Sequence, residues 1–343
     1  MVKINLALQG GGAHGAFTWG VLDRLLEEDD LEIAAITGTS AGALNGAALK
    51  AGWLQHGRQG ARDNLDWLWA QVARLDDLAV PKWMQAWLPS PGVISKSIEF
   101  SPVYQLGDTL VRMLSPYAWG PLYDNPLEKI VDQFDFGRVC AMEGPKLYVC
   151  ATQVRDGKVR IFEGDAISTK SILASACLPT LFQAVEVEDP QTGVVEPFWD
   201  GGYTGNPALF PLFEDDLPDD VVIVNINPLE RYAVPVMPNE IQNRINEISF
   251  NSSLLRELRA IEFVQRLISD GKIKEGAMKN LRVHMIADDD LMNDLSVATK
   301  LVPVPSVIAE LKEAGRRAAG TFLAHHKDDL GQRQTADLVR MFG

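Results

Sequence analysis

Cysteine is scarce: Cys140, Cys150 and Cys177 are the only three in 343 residues. An odd, scattered set supplies neither a disulfide framework nor the paired spacing of a zinc site, and it fits a reducing compartment. Basic charge is also short, with 32 Lys and Arg against 46 Asp and Glu, a formal net charge of −14. A nucleic-acid backbone needs a basic footprint, so the balance argues against nucleic acid as a partner. Electrostatic attachment to strongly anionic membranes is disfavoured as well, whereas transient apolar contact with a lipid surface is not. Long apolar runs are missing: no stretch approaches the length that crosses a bilayer. The first run, Ile4 to Leu8, meets glycine too soon to be the core of a secretion signal. The expected setting is therefore cytoplasmic, peripheral to lipid at most.

What is present is ordinary globular material, 46% hydrophobic and 23% charged. "KINLALQ" reads as a short buried strand closed by glycine, and Phe17, Val21, Leu22, Leu25 and Leu26 recur at helical spacing after it. "EIAAITG" is a second strand, and a small-residue helix runs from near Ala41 to about Lys50. Strand, helix, strand, helix predicts an α/β fold with a parallel sheet. Further strands are expected at Lys146 to Gln153, Val159 to Glu163, Val221 to Ile226 and Leu281 to Ile286, with a hairpin at Val185 to Pro197. Residues 80–126, rich in proline, tryptophan and glycine, read as an irregular insertion of lid type. Within it "PKWMQAWLP" groups Trp83, Met84, Trp87 and Leu88 on one face of a short helix, a core face or an interfacial patch. The organisation expected is a catalytic domain over 1–230 and a mainly helical extension over 231–343. Ile248, Leu254, Leu255, Leu258, Ile261 and Val264 form a packing stripe in that extension, for the sheet or for a second copy in a homo-oligomer.

The glycine cluster "ALQGGGAHGAF" has two readings. Gly10, Gly12 and Gly15 satisfy G-x-G-x-x-G, the fingerprint of a dinucleotide cradle. Such a site needs an acid at the tip of the second strand, and that tip reads Gly38-Thr39-Ser40-Ala41-Gly42. It is instead G-x-S-x-G between strand and helix, the nucleophile elbow, with Ser40 at a helix N-terminus that favours an oxyanion. A glycine run beside it supplies unobstructed amides, so Gly10, Gly11, Gly12 and Ala41 are the candidate oxyanion hole. Two bases can serve the serine. Asp200 stands in "FWDGGYTGNP", and His284 completes the order Ser, Asp, His but lies in the strand-like "LRVHMI". His14, inside the glycine loop, could only assist or orient. A metal is not required, since His and Cys ligand spacing is absent.

Together these blocks resemble the patatin-like phospholipase family, serine lipid acyl hydrolases that use a Ser-Asp dyad without a histidine. The glycine-rich motif is matched by Gly10 to Gly15, the elbow by Gly38 to Gly42, and the D-G-G by Asp200, Gly201 and Gly202. A fourth block, a serine followed by proline and phenylalanine, is matched by "ASACLPTLF", Ala174 to Phe182. The departure is His14, where members usually carry Arg or Lys. The resemblance implies a three-layer α/β/α fold with a mainly parallel sheet and a helical C-terminal extension. It further implies Ser40 as nucleophile, Asp200 as base and then acid, a lipid or other acyl ester as substrate, and no cofactor. The tail from about Ile241 is similar to an extension of some bacterial patatin-like proteins and implies no activity of its own.

Overall fold

The computed structural model describes all residues except 76–114, 119–122, 190–192, 233, 275, 296 and 343. Trp83 and Trp87, with most of the expected lid at 80–126, lie outside the described residues. Among the described residues eight strands form one sheet: β1 (Val2–Leu8), β2 (Leu31–Thr39), β3 (Lys146–Gln153), β4 (Val159–Glu163), β5 (Val185–Glu188), β6 (Val195–Asp200), β7 (Asp220–Val224) and β8 (Arg282–Ile286). Pairings run β5-β6-β3-β2-β1-β7-β8, with β4 also on β3. β3, β2, β1, β7 and β8 are mutually parallel, and β4, β5 and β6 pair antiparallel.

Alternation along the parallel strands divides the core in two. Leu6, Leu8, Val222, Val224 and Ile286 belong to one buried cluster, and Ala7, Val221, Ile223 and Val283 to another. Side chains on successive strand residues face opposite sides, so both faces need a cover. Helices α1 (Gly15–Leu25), α2 (Ala41–Ala73), α3 (Thr169–Ser175), α4 (Pro238–Ser269), α5 (Val297–Leu301) and α6 (Pro305–His326) supply most of it. α1, α2 and α6 pack over the first cluster through residues such as Phe17, Leu65 and Leu311. α4 covers the second through Leu254, Leu258 and Ile261, each fully buried side chain worth about 1.5–3 kcal/mol. The result is helix, sheet, helix.

Two expectations are revised by packing. The helix after the elbow continues past Lys50 to Ala73, broken at His56 and Gly57, where Gly57 takes φ 60°. In the stripe of α4, Leu254, Leu258 and Ile261 are buried against the sheet, whereas Ile248 is 54% exposed. The region beyond residue 230 also extends the sheet itself, because β8 pairs with β7.

Candidate active site

The carboxyl ends of β1 and β2 stand level, with Leu8 paired to Gly38. Ser40 follows at once, as the cap of α2, with φ 53° and ψ −119°. Among the described residues it is the one non-glycine at positive φ, a strained conformation that costs on the order of 1–3 kcal/mol and marks functional turns. The flanking glycines are there for contact: a Cβ on Gly42 would lie 2.1 Å from the Leu8 carbonyl oxygen, and one on Gly38 2.6 Å from that of Gly42. The Ser40 N–H donates to Ser175 Oγ at 2.9 Å, and Ser175 Oγ donates to the Cys150 carbonyl at 2.6 Å. A buttress from α3 thus holds the elbow to β3.

Asp200 arrives from the opposite direction. Both β2 and β6 pair with the same edge of β3, β4 occupying the other edge. On that edge Thr39 is partnered by Cys150 and Asp200 by Ala151. The two strands therefore meet head to head at adjacent rungs, which brings residue 200 to the nucleophile turn although 160 residues separate them. Asp200 is 3% exposed. Its N–H donates to the Cys177 carbonyl, and Oδ1 accepts the Gly202 N–H at 2.7 Å. Burial pushes its pKa up to about 7, against hydrogen bonding from the Gly202 amide and the Ser40 side chain, which lowers it. Phe198 is buried and packs edge-on against Phe162.

The glycine loop packs directly over the elbow, since a Cβ on Gly10 would be 2.8 Å from Ser40 Cβ. Gly10 is not a free donor: its N–H gives a 2.7 Å hydrogen bond to Asn206 Oδ1. The N–H groups of Gly11, Gly12 and Ala41 meet no protein acceptor among the described residues. Polar clamps that sequence reasoning missed hold the loop. Gln9 Oε1 accepts from the Ile226 and Asn227 amides, and Asn227 Nδ2 donates to the Gly10 carbonyl at 2.8 Å. Only Ser175 carried a signal, as the serine of the fourth block.

The two histidines take other roles. His284 Nε2 lies 3.0 Å from Asp220 Oδ1 and Nδ1 lies 3.0 Å from Thr335 Oγ1. His284 lies on β8 and pairs with Val222, and β8 is separated from β2 by β1 and β7, about 14 Å across the sheet at ordinary strand spacing. His284 is therefore a packed structural residue, and the Ser-Asp-His alternative fails on geometry. His14 is buried, with Nε2 2.8 Å from Thr299 Oγ1. Burial, with Lys300 and Arg231 nearby, holds its pKa well below 6.5, so residue 14 brings no positive charge to the loop.

Ser40, Asp200 and Gly10 to Gly12 open onto one cavity of about 420 Å³. Leu44, Trp69, Val72, Leu181, Phe182, Tyr203 and Phe250 give it an apolar wall, and Asn227, Glu247 and Lys300 a polar one. Among the described residues no three His, Cys, Asp or Glu side chains converge to hold a metal, and no helix is long and apolar enough to cross a membrane.

The family described as patatin-like phospholipase matches residues 6–213, which includes every part of this constellation up to Asn206. The chain belongs to that family. Lipid acyl hydrolysis is the general chemistry of patatin-like phospholipases. No curated protein sequence matches this chain. Solved structures similar to it are VipD from Legionella pneumophila, at TM-score 0.43 and 14% identity, and the type III effector ExoU, at 0.37 and 17%. The ExoU–SpcU complex from the type III secretion system of Pseudomonas aeruginosa follows at 0.30 and 15%. These cover 95%, 94% and 99% of this chain, which spans 67%, 53% and 65% of theirs.

Proposed function

We propose that this patatin-like protein hydrolyses carboxylic esters of lipids through an acyl-enzyme on Ser40, with Asp200 as its base. The head-to-head meeting of β2 and β6 on β3 carries the reading, because it pairs a strained serine with a buried carboxylate at the mouth of an apolar cavity. Ser40 Oγ attacks the ester carbonyl carbon while its proton passes to the Asp200 carboxylate. A pKa near 7 suits that transfer better than an exposed aspartate near 4. The N–H groups of Gly11, Gly12 and Ala41 receive the oxyanion, and the N-terminus of α2 adds its dipole. Collapse expels the alkoxide, which takes the proton back from Asp200. Water then enters, gives its proton to Asp200, and attacks the acyl carbon; collapse expels the Ser40 alkoxide, which takes that proton from Asp200, and the free acid is released.

A fluorophosphonate probe and a soluble short-chain ester test the reading together. Wild-type protein should label and turn over, and Ser40→Ala should do neither while keeping its thermal midpoint. Labelling or turnover that survives Ser40→Ala would refute it.

A further inference from the structure

The polar wall of the cavity carries charge that the ester chemistry leaves unused. Lys300, on α5, lines it beside Gly12, Asn227 and Glu247. The backbone there is pressed against the glycine loop, since a Cβ on Gly12 would lie 2.2 Å from the Lys300 carbonyl oxygen. Lys300 Nζ donates to Asn227 Oδ1 at 2.9 Å, and Asn227 donates onward to the Gly10 carbonyl. The ammonium is thus two hydrogen bonds from the loop that faces Ser40.

Its counter-charge is already shared. Glu247 Oε1 lies 3.7 Å from Lys300 Nζ, an ion-pair distance too long for a good hydrogen bond. Arg231 meanwhile holds both Glu247 oxygens, through Nη2 to Oε1 and Nε to Oε2, and Arg244 Nη1 stands 3.4 Å from Oε2. Among the described residues, three cations in ion-pair range share one carboxylate. Asp289 also faces Arg231 electrostatically, so among the described residues the balance around Glu247 is net positive by about one charge, with Lys300 its member on the cavity wall, in a chain of net charge −14. Arg231 is further pinned to the carbonyls of Met292 and Asn293, so the two arginines supply field and Lys300 the contact. Burial lowers the Lys300 pKa and Glu247 only partly offsets this, and an incoming anion would complete the compensation.

Building on the hydrolase reading, we propose that Lys300 and Asn227 form a subsite for an anionic group on the substrate ester, a phosphate or a carboxylate, close to the scissile carbonyl. An ammonium is a point charge that accepts either anion without the planar match a guanidinium favours. A neutral ester would leave it desolvated, with only the Asn227 hydrogen bond and its share of Glu247, so the excess charge sorts substrates by sign. Lys300 is in this sense a specificity residue.

Three esters of one acyl chain test it: an acylglycerol phosphate, an acyl ester of a hydroxy acid with a free carboxylate, and a neutral monoacylglycerol. The readout is kcat/KM for each anionic ester divided by that for the neutral one. Wild-type protein should favour at least one anionic ester, and Lys300→Met should lower that ratio at least about tenfold, the loss expected of a charge-assisted contact. Lys300→Arg should keep the ratio within about threefold. A response confined to the phosphate or to the carboxylate ester supports the subsite and names its source. A ratio unchanged in folded Lys300→Met, or no anionic preference in the wild type, overturns it. Calorimetric titration of Ser40→Ala protein with dodecyl phosphate, dodecanoate and dodecanol reads the subsite without turnover and without any change at Lys300. Equal affinity for the three overturns the proposal, and anion-selective binding supports it even if no ester is cleaved and the hydrolase reading falls.

Discussion

Replacing Asp200 by Asn should abolish turnover and at the same time make the protein more stable, by an amount that depends on pH. Asn keeps the shape and can still accept the Gly202 N–H that Asp200 Oδ1 accepts. What it removes is a buried charge. The folded carboxyl has a pKa of about 7 against an ordinary 3.8. Below about pH 4 the group is protonated in both the folded and the unfolded chain, and the two proteins differ little. Between 4 and 7 the unfolded chain releases a proton that the folded one retains, so wild-type stability falls by about 1.4 kcal/mol per pH unit relative to the variant. Above 7 both states are ionised and the gap levels off at about 4 kcal/mol. Other ionisable groups are common to the two proteins and cancel in the difference. Urea unfolding of both at pH 5, 6, 7 and 8, compared through their midpoints and slopes, measures it. A stability difference flat across that range would refute the claim that burial raises the Asp200 pKa towards neutrality, and with it the account of how an aspartate serves as the base.

His284→Gln should leave turnover within about tenfold while costing on the order of 1–3 kcal/mol of stability, because its contacts are Asp220 and Thr335. A folded variant as inactive as Ser40→Ala would contradict that placement. Gly42→Ala should lower the thermal midpoint sharply and suppress activity, since its Cβ would meet the Leu8 carbonyl oxygen at 2.1 Å. A wild-type midpoint in that variant would show that the elbow is looser than drawn.

The site was readable wherever a local backbone demand dictates residue type. A sharp turn and a close strand-helix approach require the glycines at 38 and 42, and alternating or periodic apolar residues mark β7, β8, α4 and α6, so all of these stood out in the sequence. The clamps did not. Asn206 and Asn227 satisfy backbone groups of Gly10, and Gln9 accepts from the amides of Ile226 and Asn227, all across more than 190 positions, and an amide side chain that does this looks like any other polar residue until the sheet is assembled. Lys300 escaped for the same reason: a lysine in a helical tail reads as solvated surface. Gly10 was expected to donate to the oxyanion, and only the position of Asn206 reveals that its amide is taken. His284 fits the chain order of a triad, but the strand-like alternation around it points to a packed structural histidine, and it is buried against Asp220 and Thr335.

The span matched by the family and the span that can fold are different lengths. Residues 6–213 hold Ser40, Asp200 and the whole glycine loop, yet β1 lies in the interior of the sheet, between β2 and β7. A chain cut after residue 213 would lose β7 and β8, together with α4 and α6, which cover its two faces. β1 would then present an open row of amides and carbonyls along a strand of buried-type residues, a template for joining other chains edge to edge. The motifs can be excised as text, but the unit that evolution or an engineer can transplant includes the tail.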